Sequence, residues 1–160
     1  MTEQSSLLRM FAGEWTGTGR GGFLGVEPFE YVEILSFVFD ESRPLILQYV
    51  QKTSRRSAGQ TDYVPSHWET GFLRLLSDTE VELVNAQSSG RLEVLGGSLE
   101  TTSAGAVLRL ESTAFANDAR MQGATRLITL NVNQLHYTLH MRTTAAPETT
   151  LHLEATLTRR

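Results

Sequence analysis

The feature that most constrains this chain is the two-residue alternation of apolar and polar side chains that begins after Gly13. The clearest example is segment 135–142, where apolar residues occupy the odd positions and polar residues the even ones. Successive side chains of a strand point to opposite faces, so this period predicts β-strands with one face toward a core. The one helical signal is segment 7–11, with Ser5 or Ser6 as its expected N-cap.

We expect ten strands, separated by short segments rich in Gly, Pro, Asn, Asp and Ser. Short turns favour antiparallel hairpins over crossover connections. Ten such strands behind a short N-terminal helix predict an all-β fold, a single antiparallel barrel whose closed lumen holds one small ligand. We expect one domain over residues 1–160, with 55–64 as its longest loop. The expected strands are Glu14–Phe23, Phe29–Phe39, Leu45–Ser54, His67–Leu76, Glu80–Ala86, Arg91–Leu99, Ala106–Ser112, Arg120–Asn131, Gln134–Thr144 and Thr149–Thr158.

Composition excludes several kinds of site. The net charge of −4 over 160 residues argues against a nucleic-acid-binding surface. Because the chain has no cysteine, disulfides, iron–sulfur clusters and a thiolate haem ligand are excluded. No apolar run approaches the roughly 20 residues of a membrane-spanning helix, and the first residues lack a basic segment followed by an apolar one. We therefore expect a soluble, cytoplasmic protein that does not bind membranes.

The glycine-rich segment 17–22 satisfies the GxGxxG spacing of dinucleotide-binding loops. That motif requires a helix that starts within it, whereas here a β-type segment follows, with Pro28 close behind. Nucleotide binding is therefore rejected. The glycines predict a barrel wall that bends sharply or, as the weaker alternative, one that a flat ligand approaches closely. Trp15, just before them, is expected to plug one end of the barrel with its apolar ring.

His152 is the residue on which the functional interpretation depends. Strict alternation groups it with Thr150 and Glu154 on a polar face, opposite Leu151 and Leu153. Alternation therefore favours a histidine that faces solvent. The alternative is an imidazole turned into the barrel, where a neutral ring is a good ligand for haem iron and its other nitrogen requires a hydrogen-bond partner.

The remaining histidines and the arginines give weaker signals. His136 and His140 lie four apart on one strand, about 13 Å, which is too far to share a metal ion. For His67 we expect a structural hydrogen bond at a strand entrance, with a role in a ligand pocket as the alternative. Arg120 is expected near a barrel rim, where an arginine can pair with a ligand carboxylate, although most rim arginines are simply solvated. The same weak signal applies to Arg20, Arg55 and Arg56.

Six segments, in order along the chain, resemble those of one family. Segment 13–19, GEWTGTG, matches the GxWxGxG signature of the nitrobindins, haem proteins with lipocalin-like and fatty-acid-binding-protein-like barrels that are also called peroxynitrite isomerases. Segments 27–31, 69–74, 86–90, 137–141 and 152–157 resemble further signatures of the family. One short signature is weak, whereas six ordered matches are specific.

The resemblance implies a ten-stranded barrel that holds one haem b, with His152 as the iron ligand in spite of strict alternation. It implies that Arg120 takes the position of a basic residue that suits a haem propionate, and that Gly25 takes the position of a threonine that approaches the haem. Family members hold ferric iron, bind nitric oxide and convert peroxynitrite to nitrate at the iron. No catalytic residue beyond the iron is implied.

Two departures from the family pattern lie near this site. Residues 23–26 read FLGV, where the family has Tyr-Pro-Thr-Ile. The segment from Pro147 to His152 is one residue longer than usual. An extra residue in the loop leaves the orientation of His152 unchanged, whereas one in the strand reverses which side the residue faces.

The alternative function is a haem-free barrel that carries a small hydrophobic or amphipathic ligand, with Arg120 or Arg20 pairing with its carboxylate. A third interpretation is a divergent barrel whose lumen is filled by side chains and which serves as an interaction module. The expected partners are therefore haem with small reactive nitrogen species, or a small apolar ligand. The sequence leaves the oligomeric state open, a homodimer included.

Overall fold

The computed structural model describes residues 7–160, so the predicted caps Ser5 and Ser6 lie outside the described residues. The predicted helix is a single 3₁₀ turn, Leu8–Phe11. Among the described residues, no helix is both long enough and apolar enough to span a membrane. The strands are β1 (Gly13–Phe23), β2 (Val26–Phe39), β3 (Ile46–Ser57), β4 (Val64–Leu75), β5 (Glu80–Gln87), β6 (Leu92–Thr102), β7 (Gly105–Ala116), β8 (Met121–Asn131), β9 (Gln134–Thr143) and β10 (Thr150–Arg159).

The ten strands form one closed antiparallel barrel, which confirms the predicted architecture. Each strand pairs with its neighbours in the chain, and β1 also pairs with β10, so within residues 7–160 the sheet has no free edge. Gly17 of β1, for example, lies opposite Glu33 of β2 on one side and Leu157 of β10 on the other. Because β3 and β4 extend into the predicted loop 55–64, that connection shortens to residues 58–63.

One end of the barrel is closed by Trp15, whose side chain is fully buried, as the sequence predicts. Its indole Nε1 donates a hydrogen bond to the carbonyl of Phe11 at 2.8 Å, which satisfies its only polar group. The guanidinium of Arg159 lies 4.2 Å from the centre of the indole ring and donates to the carbonyl of Met10 at 2.7 Å. We call this end the plug. The opposite end, where β1 ends and β10 begins, is the mouth.

The interior of the barrel is apolar with a polar inclusion. Inward and outward residues alternate as predicted, so that Leu135 and Tyr137 of β9 are both buried. Carboxylates and amides also lie inside, and buried groups of this kind require hydrogen-bond partners. The buried polar residues are Glu33, Gln51, Glu69, Asn85, Gln87 and Glu93.

The glycines of β1 allow other parts of the barrel to approach closely. A Cβ atom at Gly17 would lie 2.1 Å from the carbonyl oxygen of Thr156 on β10, and one at Gly19 would lie 2.2 Å from the ring of Tyr31. The space beside the glycines is thus taken by the neighbouring strand and by protein side chains. Close approach is the reason for glycine here, and at Gly17 and Gly19 the approaching group is protein and not the flat ligand of the weaker alternative.

Candidate ligand cavity

A cavity of about 280 Å³ lies inside the barrel. It extends to the mouth, because Val26 at the start of β2 and Arg55 near the end of β3 are among its lining residues. Its walls combine apolar side chains, among them Phe29, Ile128 and Leu153, with polar side chains from seven strands and from the β5–β6 turn. The lumen is therefore not filled by side chains alone, and a ligand site with both apolar and polar character is available.

A β-bulge turns His152 into this cavity. Between β10 and β9, Leu151 lies opposite His140 and Leu153 lies opposite Leu139, so β10 carries one extra residue, His152, at this point. His152 and Leu153 both line the cavity, while Leu151 is exposed. The prediction from strict alternation, that His152 faces solvent, is wrong because the bulge interrupts the two-residue period.

One nitrogen of the His152 imidazole is engaged by the protein. Its Nδ1 lies 3.0 Å from the backbone carbonyl oxygen of Gly22. Because a carbonyl only accepts hydrogen bonds, Nδ1 carries the proton and Nε2 keeps its lone pair. The rings of Phe23 and Phe29 stand edge-on to the imidazole, with centroid distances of 5.7 and 6.5 Å. Burial lowers the pKa of His152 by more than the bond to Gly22 raises it, which favours the neutral ring.

An ion network crosses the lumen beside the cavity. Arg126 of β8 bridges Glu69 of β4, at 2.7 Å from Nη1 to Oε1, and Glu93 of β6, at 2.8 Å from Nη2 to Oε2. Glu69 also accepts a hydrogen bond from Tyr49 at 2.8 Å, and its other oxygen lies 3.0 Å from His67 Nε2. Burial pushes the pKa of Glu69 upward, but the charge of Arg126 and the bond from His67 outweigh burial and hold the pKa well below its ordinary value. Glu69 and Arg126 are therefore both charged.

Glu33 is a buried carboxylate in a different environment. It is 2% exposed and accepts hydrogen bonds from Gln51 Nε2 and from the hydroxyl of Tyr137, each at 2.6 Å. The hydroxyl of Tyr31 lies 2.8 Å from that of Tyr137. Burial raises the pKa of Glu33 to about 7, although both hydrogen bonds favour the charged form. Glu33 is thus held close to its titration point at neutral pH.

Three residues singled out in the sequence lie away from the cavity lining. Arg120 is in the connection between β7 and β8, where its side chain is 80% exposed and its Nε lies 2.9 Å from Asp118 Oδ1. Gly25 is in the turn between β1 and β2, with a φ of +78°. Arg20 pairs with Glu154 at 2.8 Å on the outer surface. The structure does not bring these residues together with His152 in the cavity.

Other polar residues do line the cavity. His67 is the fourth residue of β4, so it lies inside the strand and not at its entrance. Its Nε2 lies 3.0 Å from Glu69 Oε2, and its side chain lines the cavity. Arg55 lies 5.4 Å from the ring centre of Phe29. Arg91 was missed by sequence reasoning, because it directly follows a turn, where alternation does not assign a face. No group of three or more potential metal-ligating side chains is assembled anywhere in residues 7–160.

The chain belongs to the family of THAP4-like, heme-binding beta-barrel domains, whose family model matches residues 5–159. It is 32% identical over 138 residues to peroxynitrite isomerase 1 of Mycolicibacterium paratuberculosis, covering 84% of this chain and 82% of that relative. It is 30% identical over 140 residues to an Arabidopsis thaliana protein named peroxynitrite isomerase Rv2717c, covering 88% and 80%. The crystal structure of Rv2717c from M. tuberculosis matches with a TM-score of 0.87 and 29% identity, covering 100% of this chain and 99% of that one. The family resemblance predicted from the sequence motifs is confirmed.

Proposed function

We propose that this protein binds haem b with His152 as the axial ligand, isomerises peroxynitrite to nitrate and also binds nitric oxide. The observation that carries the proposal is the imidazole of His152, which faces the cavity with Nδ1 engaged by Gly22 and Nε2 unprotonated. This is the form in which histidine coordinates iron. The names of the relatives, peroxynitrite isomerases, support the activity.

The residues around His152 fit a flat apolar macrocycle that carries carboxylates. Phe29 and Leu153 give the cavity apolar walls next to the imidazole. Arg55 lines the cavity beside Phe29 and suits a propionate. Arg120, the candidate from the resemblance, is engaged by Asp118, which makes Arg55 the stronger candidate. Gly25, the other candidate from the resemblance, lies in the exposed turn between β1 and β2 at the mouth, where the edge of a macrocycle that projects from the cavity would pass it.

When bound, the haem supplies an iron centre that acts as a Lewis acid toward the peroxynitrite anion. The chain itself holds and shields the ligand. The carbonyl of Gly22 keeps the His152 ring in one tautomer, and burial lowers its pKa so that Nε2 keeps its lone pair as the pH falls. The rings of Phe23 and Phe29 limit the access of water to the imidazole. Isomerisation of the anion to nitrate involves no net proton transfer, so no side chain is assigned as an acid or base.

Titration of the haem-free protein with hemin tests the haem site. We expect a saturable one-to-one Soret shift that is lost in His152→Ala. His136→Ala is the matched control, because His136 lies on the neighbouring strand and outside the cavity lining. A non-saturating response of the wild-type protein, or unchanged binding by His152→Ala, would contradict the proposal.

Peroxynitrite chemistry needs its own measurement. The decay of peroxynitrite absorbance is measured by stopped flow for the protein with and without equimolar hemin. Nitrate and nitrite are then determined in the products. We expect faster decay and a higher nitrate fraction with the loaded protein. If the haem-loaded protein left the decay rate equal to that without protein, the proposed isomerase activity would be wrong, while the proposed haem site would be unaffected.

Native mass spectrometry of the protein as purified separates the haem protein from a haem-free carrier. The cavity's apolar walls and its arginines also suit an amphipathic carboxylate. A co-purifying fatty acid, with the same occupancy in His152→Ala, would support the carrier function instead.

A further inference from the structure

We propose that Tyr137 is a redox-active side chain, which gives one electron to a small neutral radical in the cavity and its hydroxyl proton to Glu33. Tyr137 lines the cavity, and its hydroxyl donates a hydrogen bond to Glu33 Oε2 at 2.6 Å. Glu33 is buried and is not among the residues that line the cavity. The electron donor therefore borders the cavity, while its proton acceptor is shielded from the ligand.

The surroundings of Tyr137 couple the loss of its electron to the loss of its proton. Burial raises the pKa of Tyr137 well above its ordinary value, and the charge of Glu33 raises it further. The hydroxyl group therefore keeps its proton for as long as the ring keeps its electrons. Removal of one electron makes the phenol strongly acidic, and the short hydrogen bond gives the proton a direct path to the carboxylate of Glu33.

This step adds no charge to the barrel interior. The O–H bond of Tyr137 breaks, the proton binds to Glu33 Oε2, and the products are a neutral tyrosyl radical and a neutral carboxylic acid. The electron reduces the radical in the cavity, so that nitrogen dioxide, for example, becomes nitrite. Because burial raises the pKa of Glu33 to about 7, the interior helps the carboxylate to take up the proton.

A second tyrosine–carboxylate pair in the barrel lacks this property. Tyr49 donates a hydrogen bond to Glu69 Oε1 at 2.8 Å. Burial pushes the pKa of Glu69 upward, but the charge of Arg126 and hydrogen bonds outweigh burial and hold the pKa well below its ordinary value. The charges of Glu69 and Arg126 also act on Glu33, and they shift its pKa in opposite directions. Glu33 is the more basic carboxylate, so its partner Tyr137 is the tyrosine that can release a proton.

Two donors hold the hydroxyl oxygen of Tyr137 in place. Because the single hydroxyl proton of Tyr137 is directed to Glu33, the hydroxyl of Tyr31, 2.8 Å away, is the donor in its bond to Tyr137. Gln51 Nε2 donates to the same oxygen at 3.2 Å. Both hydrogen bonds remain available after the proton has left, so the oxygen of the radical stays paired without rearrangement of the barrel.

A neutral radical suits this cavity better than an anion does. The carboxylates of Glu69 and Glu93 are buried in the barrel, and they repel an anion but not an uncharged species. Electron transfer also requires no hydrogen bond between Tyr137 and the radical. Nitrogen dioxide forms when the O–O bond of peroxynitrite breaks homolytically, so its identification as the physiological oxidant rests on the proposed function. The redox chemistry of Tyr137 itself needs no haem.

Pulse radiolysis of the haem-free protein with azide radicals, which are small and neutral, tests the proposal. Because Trp68 is exposed and Tyr63 lies in the β3–β4 connection, both would also react, and the reference protein therefore carries Trp68→Phe and Tyr63→Phe. We expect a tyrosyl radical in the time-resolved absorbance, and its loss when Tyr137→Phe is added. Tyr49→Phe is the matched control, because Tyr49 is also buried and bonded to a carboxylate, and it should keep the radical.

Glu33→Gln tests the proton acceptor. Glutamine keeps the size of the side chain and an oxygen that accepts the hydrogen bond from Tyr137, but it is not a base. The radical should form about 100-fold more slowly in this variant, the lower end of what a positioned base contributes. In the reference protein the rate should also fall as the pH drops below about 7, where Glu33 is already protonated, whereas in Glu33→Gln it should not.

Tyr31→Phe assigns the radical without altering the pair of Tyr137 and Glu33. The substitution removes the hydroxyl that lies 2.8 Å from the oxygen of Tyr137. The largest g value of a tyrosyl radical increases when its oxygen loses a hydrogen bond. High-field electron paramagnetic resonance of the freeze-quenched radical should show this increase, and the measurement does not depend on whether Tyr137→Phe folds.

Several results would overturn the proposal. They are the absence of a tyrosyl radical in the reference protein, its persistence in folded Tyr137→Phe, equal rates in Glu33→Gln and the reference protein, and an unchanged g value in Tyr31→Phe. A Tyr137 radical in a protein that does not bind hemin would support the redox role and contradict the proposed function. Hemin binding by a protein that forms no Tyr137 radical would do the reverse.

Discussion

Arg126 of β8 and Glu69 of β4 pair across the lumen, at 2.7 Å between Nη1 and Oε1, although they are 57 residues apart in the chain. In the closed order of strands, β7, β6 and β5 lie between them. The pair therefore joins two strands that are separated in the sheet by at least three other strands. Forming a buried ion pair requires desolvation of both charges, which costs free energy. Once the pair is buried, removing either partner leaves the other charge uncompensated in the interior.

Removing the cation from this network should be costly. Arg126→Met leaves Glu69 and Glu93 buried without a counter-charge, and we expect the free energy of unfolding to fall by about 3–5 kcal/mol. Urea denaturation measures the loss. Arg74→Met is the control, because Arg74 pairs with Glu82 at the surface, and should cost below about 1 kcal/mol. Equal losses in the two variants would contradict a structural role for the lumen pair.

Glu33 predicts a pH dependence of stability of unusual sign for a carboxylate. Its folded-state pKa of about 7 lies above the ordinary value of 4.5. Between these values the unfolded chain releases the proton while the folded protein keeps it, so stability falls as the pH rises from 4.5 to 7. The full loss from this group is about 3 kcal/mol.

Glu33→Gln should remove this dependence. Unfolding free energies of the variant and the wild-type protein, measured from pH 5 to pH 8, give a difference that should grow in favour of the variant until about pH 7 and then level off. Two parallel pH curves would show that Glu33 titrates as an ordinary carboxylate.

His152 should titrate below the ordinary histidine pKa of 6.5 in the haem-free protein, because its ring is buried. Nitrogen-detected NMR follows the ring through the titration and also reports its tautomer. We expect the proton on Nδ1, where Gly22 accepts it. A proton on Nε2 in the neutral ring would be incompatible with a lone pair directed to iron.

The close contact between β1 and β10 predicts that alanine substitutions at two glycines of β1 differ strongly in their effect on stability. Gly17→Ala places a Cβ 2.1 Å from the carbonyl oxygen of Thr156, while the nearest atom to a Cβ at Gly22 is 3.8 Å away. We expect Gly17→Ala to lose about 1–3 kcal/mol of stability and Gly22→Ala to stay near the wild-type value. Thermal unfolding compares them, and similar melting temperatures would argue against tight packing of this seam.

The strands follow from the two-residue period, which is a local property of the sequence, and closure follows from ten of them joined by short turns. The orientation of His152 does not, because a bulge adds one residue without a distinct local pattern. Only the pairing of β10 with β9 shows the bulge, between Leu151 and Leu153.

The inward positions of the buried acidic residues could be predicted in part from the sequence. Glu69 shares a face of β4 with Leu73 and Leu75, so alternation alone places a carboxylate inside the barrel. Its partner could not be predicted from the sequence. Arg126 lies on β8, and only the strand order and register of the closed sheet bring it next to Glu69. The inward orientation of Arg91 could not be predicted either, because it depends on the geometry of the turn before β6.

The start of β1 and the end of β10 meet at the plug. The backbone nitrogen of Arg160 donates to the carbonyl of Glu14 at 2.9 Å, and Arg159 stacks on Trp15. His152 and the cavity entrance are at the other end of the molecule. A fusion partner or surface anchor attached after Arg160 would therefore start at the end of the barrel opposite the ligand entrance, which makes the barrel suitable for immobilisation in binding assays without obstructing its cavity.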